Sequence, residues 1–397
     1  MAAFGKQTIR DLEVRGRRVL VRVDFNVPLG AGAITDDTRI RAAVPTIRAL
    51  REAGGRVILI SHLGRPDGVV VESLRLAPVA ARLAARLGVP VHAVPECVGP
   101  VAQAAVDALH DGDVALLENV RFHAGEESND PGFVSALAAL GDLYVNDAFG
   151  TAHRAHASTE GIARRLPAVA GLLMEREIEI MGAALASPRR PFVAVVGGKK
   201  VSDKIGVLRN LVGRADHLLV GGAMANTFLK AQGHATGASY VEATAAGVVG
   251  EILAEASRAG THLELPVDLV IAPRLGADAP SRVVSVDGVP DDQMALDIGP
   301  ETVARFAEVL RGAGTIIWNG PMGVFEMAPF AAGTMGVALA VAGSGATTIV
   351  GGGDSVAALE ASGLADRITH VSTGGGASLE FLEGRELPGI AALRDRH

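Results

Sequence analysis

Short apolar runs rich in Val, Ile and Leu alternate along this chain with longer amphipathic segments, and no other feature restricts its fold as strongly. A run that is apolar at consecutive positions suits a strand buried on both faces, and helices between such strands imply a parallel sheet covered on both sides. The predicted strands cover residues 19–27, 56–62, 114–120, 143–149, 192–198, 217–222, 267–272, 315–320, 347–353 and 368–373. The predicted helices between them include residues 37–53, 74–87, 201–212, 245–259 and 300–312. The pattern therefore predicts a doubly wound α/β fold.

The length of 397 residues exceeds the size at which a single hydrophobic core usually stops growing, so we predict two domains. A helical segment that begins at Leu172 and ends in the punctuation Ser187-Pro188-Arg189-Arg190-Pro191 marks the boundary. The predicted organisation is a first domain over residues 1–171, a connecting helix and hinge over 172–191, a second domain over 192–378 and a C-terminal tail over 379–397 that packs back on the first domain.

Charge and composition exclude several classes of protein. The net charge of −7 lacks the basic excess of a general nucleic-acid binder, so we expect no nucleic-acid partner. The N-terminal residues lack a secretory pattern, and the sequence contains no run of about eighteen apolar residues, so we expect neither secretion nor a membrane span. Cys97 is the only cysteine, which excludes an internal disulfide and favours a cytoplasmic protein.

Polar residues follow four of the apolar runs in the first half. Ligands of doubly wound sheets bind beyond the carboxyl ends of the strands, where these residues lie. The four segments are RVDFNVP from Arg22, SHLGRP from Ser61, ENVRF from Glu118 and NDAFGTAHR from Asn146. Their combined cations predict a site for a small polyanion, to which Arg39 at the start of the first helix adds a guanidinium. Taken singly, His62 and Arg65 are more often capping or surface side chains, so the prediction depends on agreement among the four segments.

Glycine dominates the corresponding positions in the second half. The segment GGKKVSDK joins a strand to a helix and is predicted to place Lys200 and Lys204 one turn apart on the same helix face. Other glycine turns occur in GGAMAN, WNGPMGVFE, GGGDS and STGGGAS. Such turns expose backbone N–H groups that bind phosphate, and Asp354 offers a hard oxygen ligand for Mg²⁺. Any one of these glycine clusters is more often simply a tight turn, whereas several in one sheet favour a nucleotide site.

Read together, these segments resemble the phosphoglycerate kinase family over residues 21–389. The resemblance is carried by RVDFNVP, SHLGRP, NDAFGTAHRAHAS, KVSDK, WNGPMGVFE, GGGDS and STGGGASLEFLEG, in this order along the chain. It implies two Rossmann-like domains that face each other across a hinge cleft. It also implies a reversible phosphoryl transfer from 1,3-bisphosphoglycerate to ADP, an ATP-forming step of glycolysis, by a cytoplasmic monomer.

The resemblance assigns roles to individual residues. It implies that 3-phosphoglycerate or 1,3-bisphosphoglycerate is bound through Asp24, Phe25, Asn26, Arg39, His62, Leu63, Gly64, Arg65, Arg121 and Arg154. It implies that ATP or ADP is bound through Gly198, Lys200, Lys204, Asn319, Val324, Glu326, Gly352, Gly353, Asp354 and Ser355, with Mg²⁺ on Asp354. Arg39, Lys200, Gly374 and Gly375 are the implied catalytic groups. The chain departs from the family at Lys199, where a small residue is usual, and at Ser355, where Thr is common.

Two other functions fit the same architecture. A nicotinamide-dependent dehydrogenase is disfavoured because the chain contains no GxGxxG fingerprint. A non-catalytic phosphometabolite-binding protein is disfavoured because Arg39, Lys200, Lys204 and Asp354 are all present. We therefore expect an enzyme that neutralises and aligns two anionic substrates in a loose, metaphosphate-like transition state, with hinge closure as part of turnover.

Overall fold

The computed structural model describes residues 5–30 and 32–396. These residues divide into two compact units, one formed by 5–179 with 386–396 and the other by Ile180–Arg385. The division falls inside a single continuous helix, Leu172–Ala186. The segment 379–397 is also divided, because residues up to Arg385 group with the second unit and only those from Glu386 onward group with the first. The predicted tail therefore begins seven residues too early.

The first unit is built on a parallel sheet. Its strands are β1 (Arg18–Arg22), β2 (Leu29–Gly30), β3 (Ala33–Ile34), β4 (Arg56–Ile60), β5 (His92–Ala93), β6 (Val114–Leu116), β7 (Leu143–Asn146) and β8 (Ala168–Ala170). Six of them form the sheet in the order β5-β6-β4-β1-β7-β8, and β2 and β3 form a separate antiparallel hairpin. The strand order reverses between β1 and β7, which places the topological switch point of this sheet at the carboxyl ends of those two strands.

The second unit contains a parallel sheet of six strands and a smaller antiparallel sheet. Its strands are β9 (Phe192–Val196), β10 (His217–Val220), β11 (His262–Glu264), β12 (Asp268–Ala272), β13 (Arg282–Ser285), β14 (Met294–Ile298), β15 (Thr315–Asn319), β16 (Thr347–Gly351) and β17 (His370–Val371). The large sheet has the order β11-β10-β9-β15-β16-β17, and the small one has the order β13-β12-β14. The strand order of the large sheet is that of nucleotide-binding Rossmann sheets, with the switch point between β9 and β15.

Fourteen α-helices connect and cover these strands among the described residues. They are α1 (Thr38–Glu52), α2 (Ala77–Leu87), α3 (Gly99–Asp107), α4 (Ala124–Glu127), α5 (Pro131–Ala138), α6 (Leu172–Ala186), α7 (Ile205–Leu211), α8 (Gly222–Ala231), α9 (Ala246–Ala259), α10 (Pro300–Arg311), α11 (Ala332–Gly343), α12 (Gly353–Ala361), α13 (Gly376–Leu382) and α14 (Pro388–Ala391). Both α2 and α9 end at a glycine in the left-handed region, Gly88 and Gly260, where a side chain would be strained. None of the helices described is long and apolar enough to cross a lipid bilayer.

The apolar strands lie in the cores of their units. Every residue of β9 and of β15 is buried, as expected for strands covered by helices on both faces. In the first unit, Val19 and Val21 pack in one cluster with Ile40 and Ile47 of α1. Burying each such side chain contributes roughly 1.5–3 kcal/mol to folding.

The predicted α/β fold is confirmed, and all ten predicted strands occur, although most extend too far at their carboxyl ends. The excess arises because the loops remain apolar after the ladder ends; Val23 and Phe25, for example, are fully buried beyond β1. Two predictions were wrong. The strand predicted at 267–272 lies in the antiparallel sheet, and the helix predicted at 201–212 begins only at Ile205.

Candidate active site

Three of the four polar strand ends in the first unit are joined by hydrogen bonds. Arg39 of α1 donates from Nη1 to Asp24 Oδ1 at 3.1 Å and to the Asn26 carbonyl at 3.0 Å. Asn26 Oδ1 accepts the Gly64 N–H at 2.9 Å, and the Gly64 carbonyl accepts from Arg121 Nη1 at 2.8 Å. The loops after β1, β4 and β6 are therefore held to one another by side chains that the sequence singled out.

The fourth strand end is connected through Arg22 at the end of β1. This arginine is 1% exposed, and its Nε donates to the Ser158 hydroxyl, beyond β7, at 2.8 Å. Its Nη2 lies 3.1 Å from Nδ1 of His62, which follows β4. Burial holds the pKa of His62 well below its usual range, and the charges of Arg22, Arg121, Arg154 and Arg39 lower it further. His62 is consequently neutral at physiological pH.

The remaining predicted residues of this unit have different environments. Phe25 and Leu63 are core side chains, and their backbone N–H groups donate to Ser61 Oγ at 2.9 Å and to Asn119 Oδ1 at 3.3 Å. Arg65 is exposed, and Arg154 is partly buried with its Nε 3.2 Å from His153 Nε2. Phe25 and Leu63 thus shape the loops, whereas Arg65 and Arg154 present cations.

The second unit places its glycine loops at the switch point between β9 and β15. Gly197 N–H donates to the Asn319 carbonyl at 2.9 Å, and Gly198 N–H donates to the Pro321 carbonyl at 3.0 Å. A Cβ on Gly197 would collide with that same Pro321 carbonyl. Gly197 is therefore required by the close approach of two backbones, and Gly198 by its φ of 112°. The N–H groups of both are used within the protein rather than left for phosphate.

Lys204 lies at the centre of this switch point. Its ammonium donates to Asn319 Oδ1, and the Asn319 amide donates to the Gly351 carbonyl at 2.9 Å, which joins β15 to β16. Burial lowers the pKa of Lys204 to about 8, against the raising effect of the Asp354, Asp203 and Glu383 carboxylates. Because α7 begins at Ile205, Lys200 lies in the preceding turn, and the predicted shared helix face of the two lysines does not exist.

The exposed lysines of this loop differ in their surroundings. Lys199 and Lys200 are both exposed. The Lys199 ammonium lies 5.1 Å from the centre of the Tyr240 ring. This distance is within the range of a cation–π interaction. The additional cation at position 199 therefore already has an aromatic partner within the protein.

The start of α12 provides a second set of groups. Gly352 precedes the helix with φ of 91°, and Gly353 and Asp354 are exposed in its first turn. Ser355 is buried, and its hydroxyl accepts the Gly320 N–H at 2.5 Å. Ser355 therefore ties α12 to the loop after β15, while the exposed Gly353 and Asp354 lie at a helix N-terminus, which is suited to anions.

The glycines before α13 and the loop after β15 complete the predicted set. The Gly374 N–H donates to Ser372 Oγ at 3.2 Å. Gly375 has φ of 51° and ψ of −114°, a conformation that other residues rarely adopt. Glu326 is exposed in a turn, and Val324 is anchored by its N–H to the Leu296 carbonyl at 2.9 Å.

A profile of the phosphoglycerate kinase family matches residues 9–385. The chain belongs to the phosphoglycerate kinase family. It is 61% identical over 393 residues to a phosphoglycerate kinase of Moorella thermoacetica and 60% identical over 394 residues to one of Roseiflexus castenholzii, in each case over 99% of this chain and all of the relative. Among solved structures, the phosphoglycerate kinase of Coxiella burnetii is similar with a TM-score of 0.88 at 44% identity, covering 98% of both chains. That of Pyrococcus horikoshii has a TM-score of 0.85 at 36% identity, covering 97% of this chain and 98% of the other.

Sequence reasoning missed part of this site. The pattern marks Arg22 only as a strand-end residue, and it does not mark Ser158 or Glu126, which lie behind it. Ser158 donates to Glu126 Oε1 at 2.6 Å, and Glu126 is fully buried. The available signal was Arg22 itself, because an arginine within an otherwise apolar strand requires buried partners.

Proposed function

We propose that this chain catalyses the reversible transfer of the 1-phosphoryl group of 1,3-bisphosphoglycerate to ADP, giving 3-phosphoglycerate and ATP in glycolysis and in the reverse direction in gluconeogenesis. The observation that carries the proposal is the different chemistry of the two switch points. One gathers guanidinium groups and a neutral imidazole around β1 and β7, and the other gathers lysines, a carboxylate and glycine turns around β9 and β15.

The first unit has the groups needed to bind a phosphorylated three-carbon acid. Arg65, Arg121 and Arg154 supply positive charge for its phosphate, with His62 and Asn26 as neutral hydrogen-bonding groups. Asp24 and the Asn26 carbonyl hold Arg39 in place by the two hydrogen bonds described above. A guanidinium that is already oriented loses little freedom when it binds an anion.

The second unit has the groups needed for a nucleotide. The first turn of α12 offers backbone amides to phosphate oxygens, and Lys200 and Lys204 supply positive charge. Glu326 and Val324 lie in the loop that we assign to the nucleoside.

Asp354 fits a magnesium ion that arrives with the nucleotide. Its carboxylate is exposed, and no three His, Cys, Asp or Glu side chains converge on a metal site within the described residues. Mg²⁺ is usually held by one or two carboxylates together with substrate phosphates. When bound, it would neutralise phosphate charge.

The chemistry requires charge neutralisation more than covalent help. Both reacting phosphates are anionic, and phosphoryl transfer passes through a loose transition state whose charge is spread over the equatorial oxygens. We assign Arg39 and Lys200 to those oxygens and the Gly375 amide loop to the transferring group. No general base is needed in the ATP-forming direction, because the nucleophile is already a phosphate oxygen.

The remaining expectations concern the setting of the enzyme. We propose that it acts as a monomer in the cytoplasm on small molecules alone, with no nucleic-acid or membrane partner. The reaction itself is tested by a coupled assay that follows consumption of MgATP in the presence of 3-phosphoglycerate. Turnover that requires both compounds is expected, and its absence in the folded protein would contradict the proposal.

A further inference from the structure

A chain of four side chains runs from the interior of the first unit to His62. Glu126 is fully buried and accepts hydrogen bonds from Ser158, from its N–H at 2.9 Å and from its hydroxyl at 2.6 Å. The Ser158 hydroxyl accepts from Arg22 Nε at 2.8 Å, and Arg22 Nη2 contacts His62 Nδ1 at 3.1 Å. Tyr144 fixes the backbone at this point, since its hydroxyl donates to the Ser158 carbonyl at 2.8 Å.

The direction of each hydrogen bond in this chain follows from the groups involved. A guanidinium has only donors, so His62 Nδ1 must be the acceptor and cannot carry a proton. The ring is then neutral with its proton on Nε2. Ser158 receives the Arg22 Nε–H on its oxygen, which leaves its own proton for the Glu126 carboxylate.

We propose that Arg22, held through Ser158 by Glu126, is a positioning residue that fixes His62 in the Nε2–H form and thereby makes it a hydrogen-bond donor to the anionic substrate of this unit. The inference rests on the proposed function for the identity of that substrate. It assigns to Arg22 a role different from that of the exposed arginines, which supply charge directly.

Burial explains why such a chain is needed. A histidine surrounded by Arg22, Arg121, Arg154 and Arg39 is prevented from acquiring a proton, yet a neutral imidazole without a fixed partner exchanges between its two tautomers. Only the Nε2–H tautomer keeps the Arg22 contact. The arrangement gives a directional donor while adding no further positive charge to a crowded site.

The buried ions themselves are compensated. Arg22 also donates from Nη1 to the Val23 carbonyl, so its guanidinium contacts a carbonyl, a hydroxyl and an imidazole. Glu126 receives two hydrogen bonds from Ser158 and lies opposite the charge of Arg22 across that serine. Satisfying both ions in this way offsets the cost of burying them.

The first test is nitrogen NMR of the full chain with labelled histidine, which reads the tautomer without substrate. We expect the Nε2–H pattern for His62 in the wild type and a mixture of tautomers in Ser158→Ala. Ser158→Thr, which keeps the hydroxyl, should restore the single pattern. An Nδ1–H tautomer or an imidazolium in the wild type at neutral pH would overturn the proposal, whether or not the protein turns over 3-phosphoglycerate.

The second test is a double-mutant cycle in the coupled assay. We expect Ser158→Ala to raise the KM for 3-phosphoglycerate about five- to tenfold, as loss of one hydrogen bond would, with the KM for MgATP unchanged. In the His62→Ala background the same substitution should have no further effect on that KM. An equal rise in both backgrounds would show that Ser158 acts independently of His62. Glu126→Gln provides a second variant if Ser158→Ala does not fold.

Discussion

The two switch points of this protein differ in how their charged groups are held. In the first unit, Arg22, Arg121 and His62 are buried and joined to neighbouring strand ends by hydrogen bonds. In the second unit, Lys200 and Asp354 are exposed, and the buried groups Asn319 and Ser355 connect loops to one another. In the first site the charged groups themselves are fixed by hydrogen bonds, whereas in the second the side chains of Asn319 and Ser355 fix the backbone of the loops.

This difference suits the ligands that we assign to the two units. A small acid offers few atoms, so its recognition depends on side chains fixed in advance. A nucleotide offers a long polyphosphate that helix amides and lysines can contact at several points, and it brings part of the coordination shell of its metal.

The largest effect is expected at the two cations assigned to the transition state. Arg39→Ala and Lys200→Ala should each lower kcat by about a hundredfold or more, because each removes a charge contact to the transferring group. The matched controls are Arg41→Ala, which removes a neighbouring exposed arginine paired with Asp37, and Lys199→Ala, which removes the lysine on Tyr240. Steady-state kinetics should give near-normal kcat for both controls. A near-normal kcat in Arg39→Ala or Lys200→Ala would remove that residue from its assigned role.

A second pair of substitutions separates the two ligands. Asn26→Ala removes the acceptor of the Gly64 N–H, and Ser355→Ala removes the acceptor of the Gly320 N–H. Each should raise one KM about tenfold, for 3-phosphoglycerate and for MgATP respectively, because an unsatisfied N–H loosens the loop. Ser355→Thr should behave as the wild type. A variant that raises both KM values equally would contradict the separation of the sites.

A smaller effect concerns pH. Because burial lowers the pKa of Lys204 to about 8, this lysine loses its charge as pH rises through that value. The KM for MgATP should therefore rise a few-fold between pH 7 and pH 9, while the KM for 3-phosphoglycerate does not follow it. Lys204→Arg keeps its charge and should flatten the profile. An unchanged profile in that variant would exclude Lys204 as the titrating group.

The smallest expected effect is on stability. Asp147 accepts the Leu173 N–H at the start of α6, and burial raises its pKa to about 7, well above the usual range of a carboxyl group. The folded state thus binds more protons than the unfolded state between about pH 4 and pH 7, so the free energy of unfolding falls as pH rises through this window. Relative to the wild type, Asp147→Asn should gain stability between pH 5 and pH 8 in urea unfolding. The control Asp291→Asn, at an exposed position, should show no such gain. A pH profile of Asp147→Asn that runs parallel to that of the wild type would exclude this linkage.

Physical differences between the elements of the fold explain which of them the sequence could predict. Continuous apolar strands such as β9 and β15 carry a strong pattern, whereas the edge strands β5 and β11 are two and three residues long and carry almost none. The clustering of polar strand ends follows from parallel topology, which makes Asp24, Asn26 and Arg121 neighbours.

The sequence pattern could not predict the hydrogen-bond partners. The sequence could not reveal that the N–H groups of Gly197 and Gly198 are used by the neighbouring loop, because this depends on how closely two backbones approach. For the same reason Ser158 and Glu126, which are distant in sequence from Arg22, gave no signal before the fold was known.

The most direct test of the central claim is amide hydrogen exchange of the full chain with each ligand added separately. We predict that 3-phosphoglycerate slows exchange in the loops after β1, β4, β6 and β7, and that MgATP slows it in the loops after β9, β15 and β16. Protection of the β9 and β15 loops by 3-phosphoglycerate alone, or of the β1 and β4 loops by MgATP alone, would contradict the assignment of one ligand to each unit.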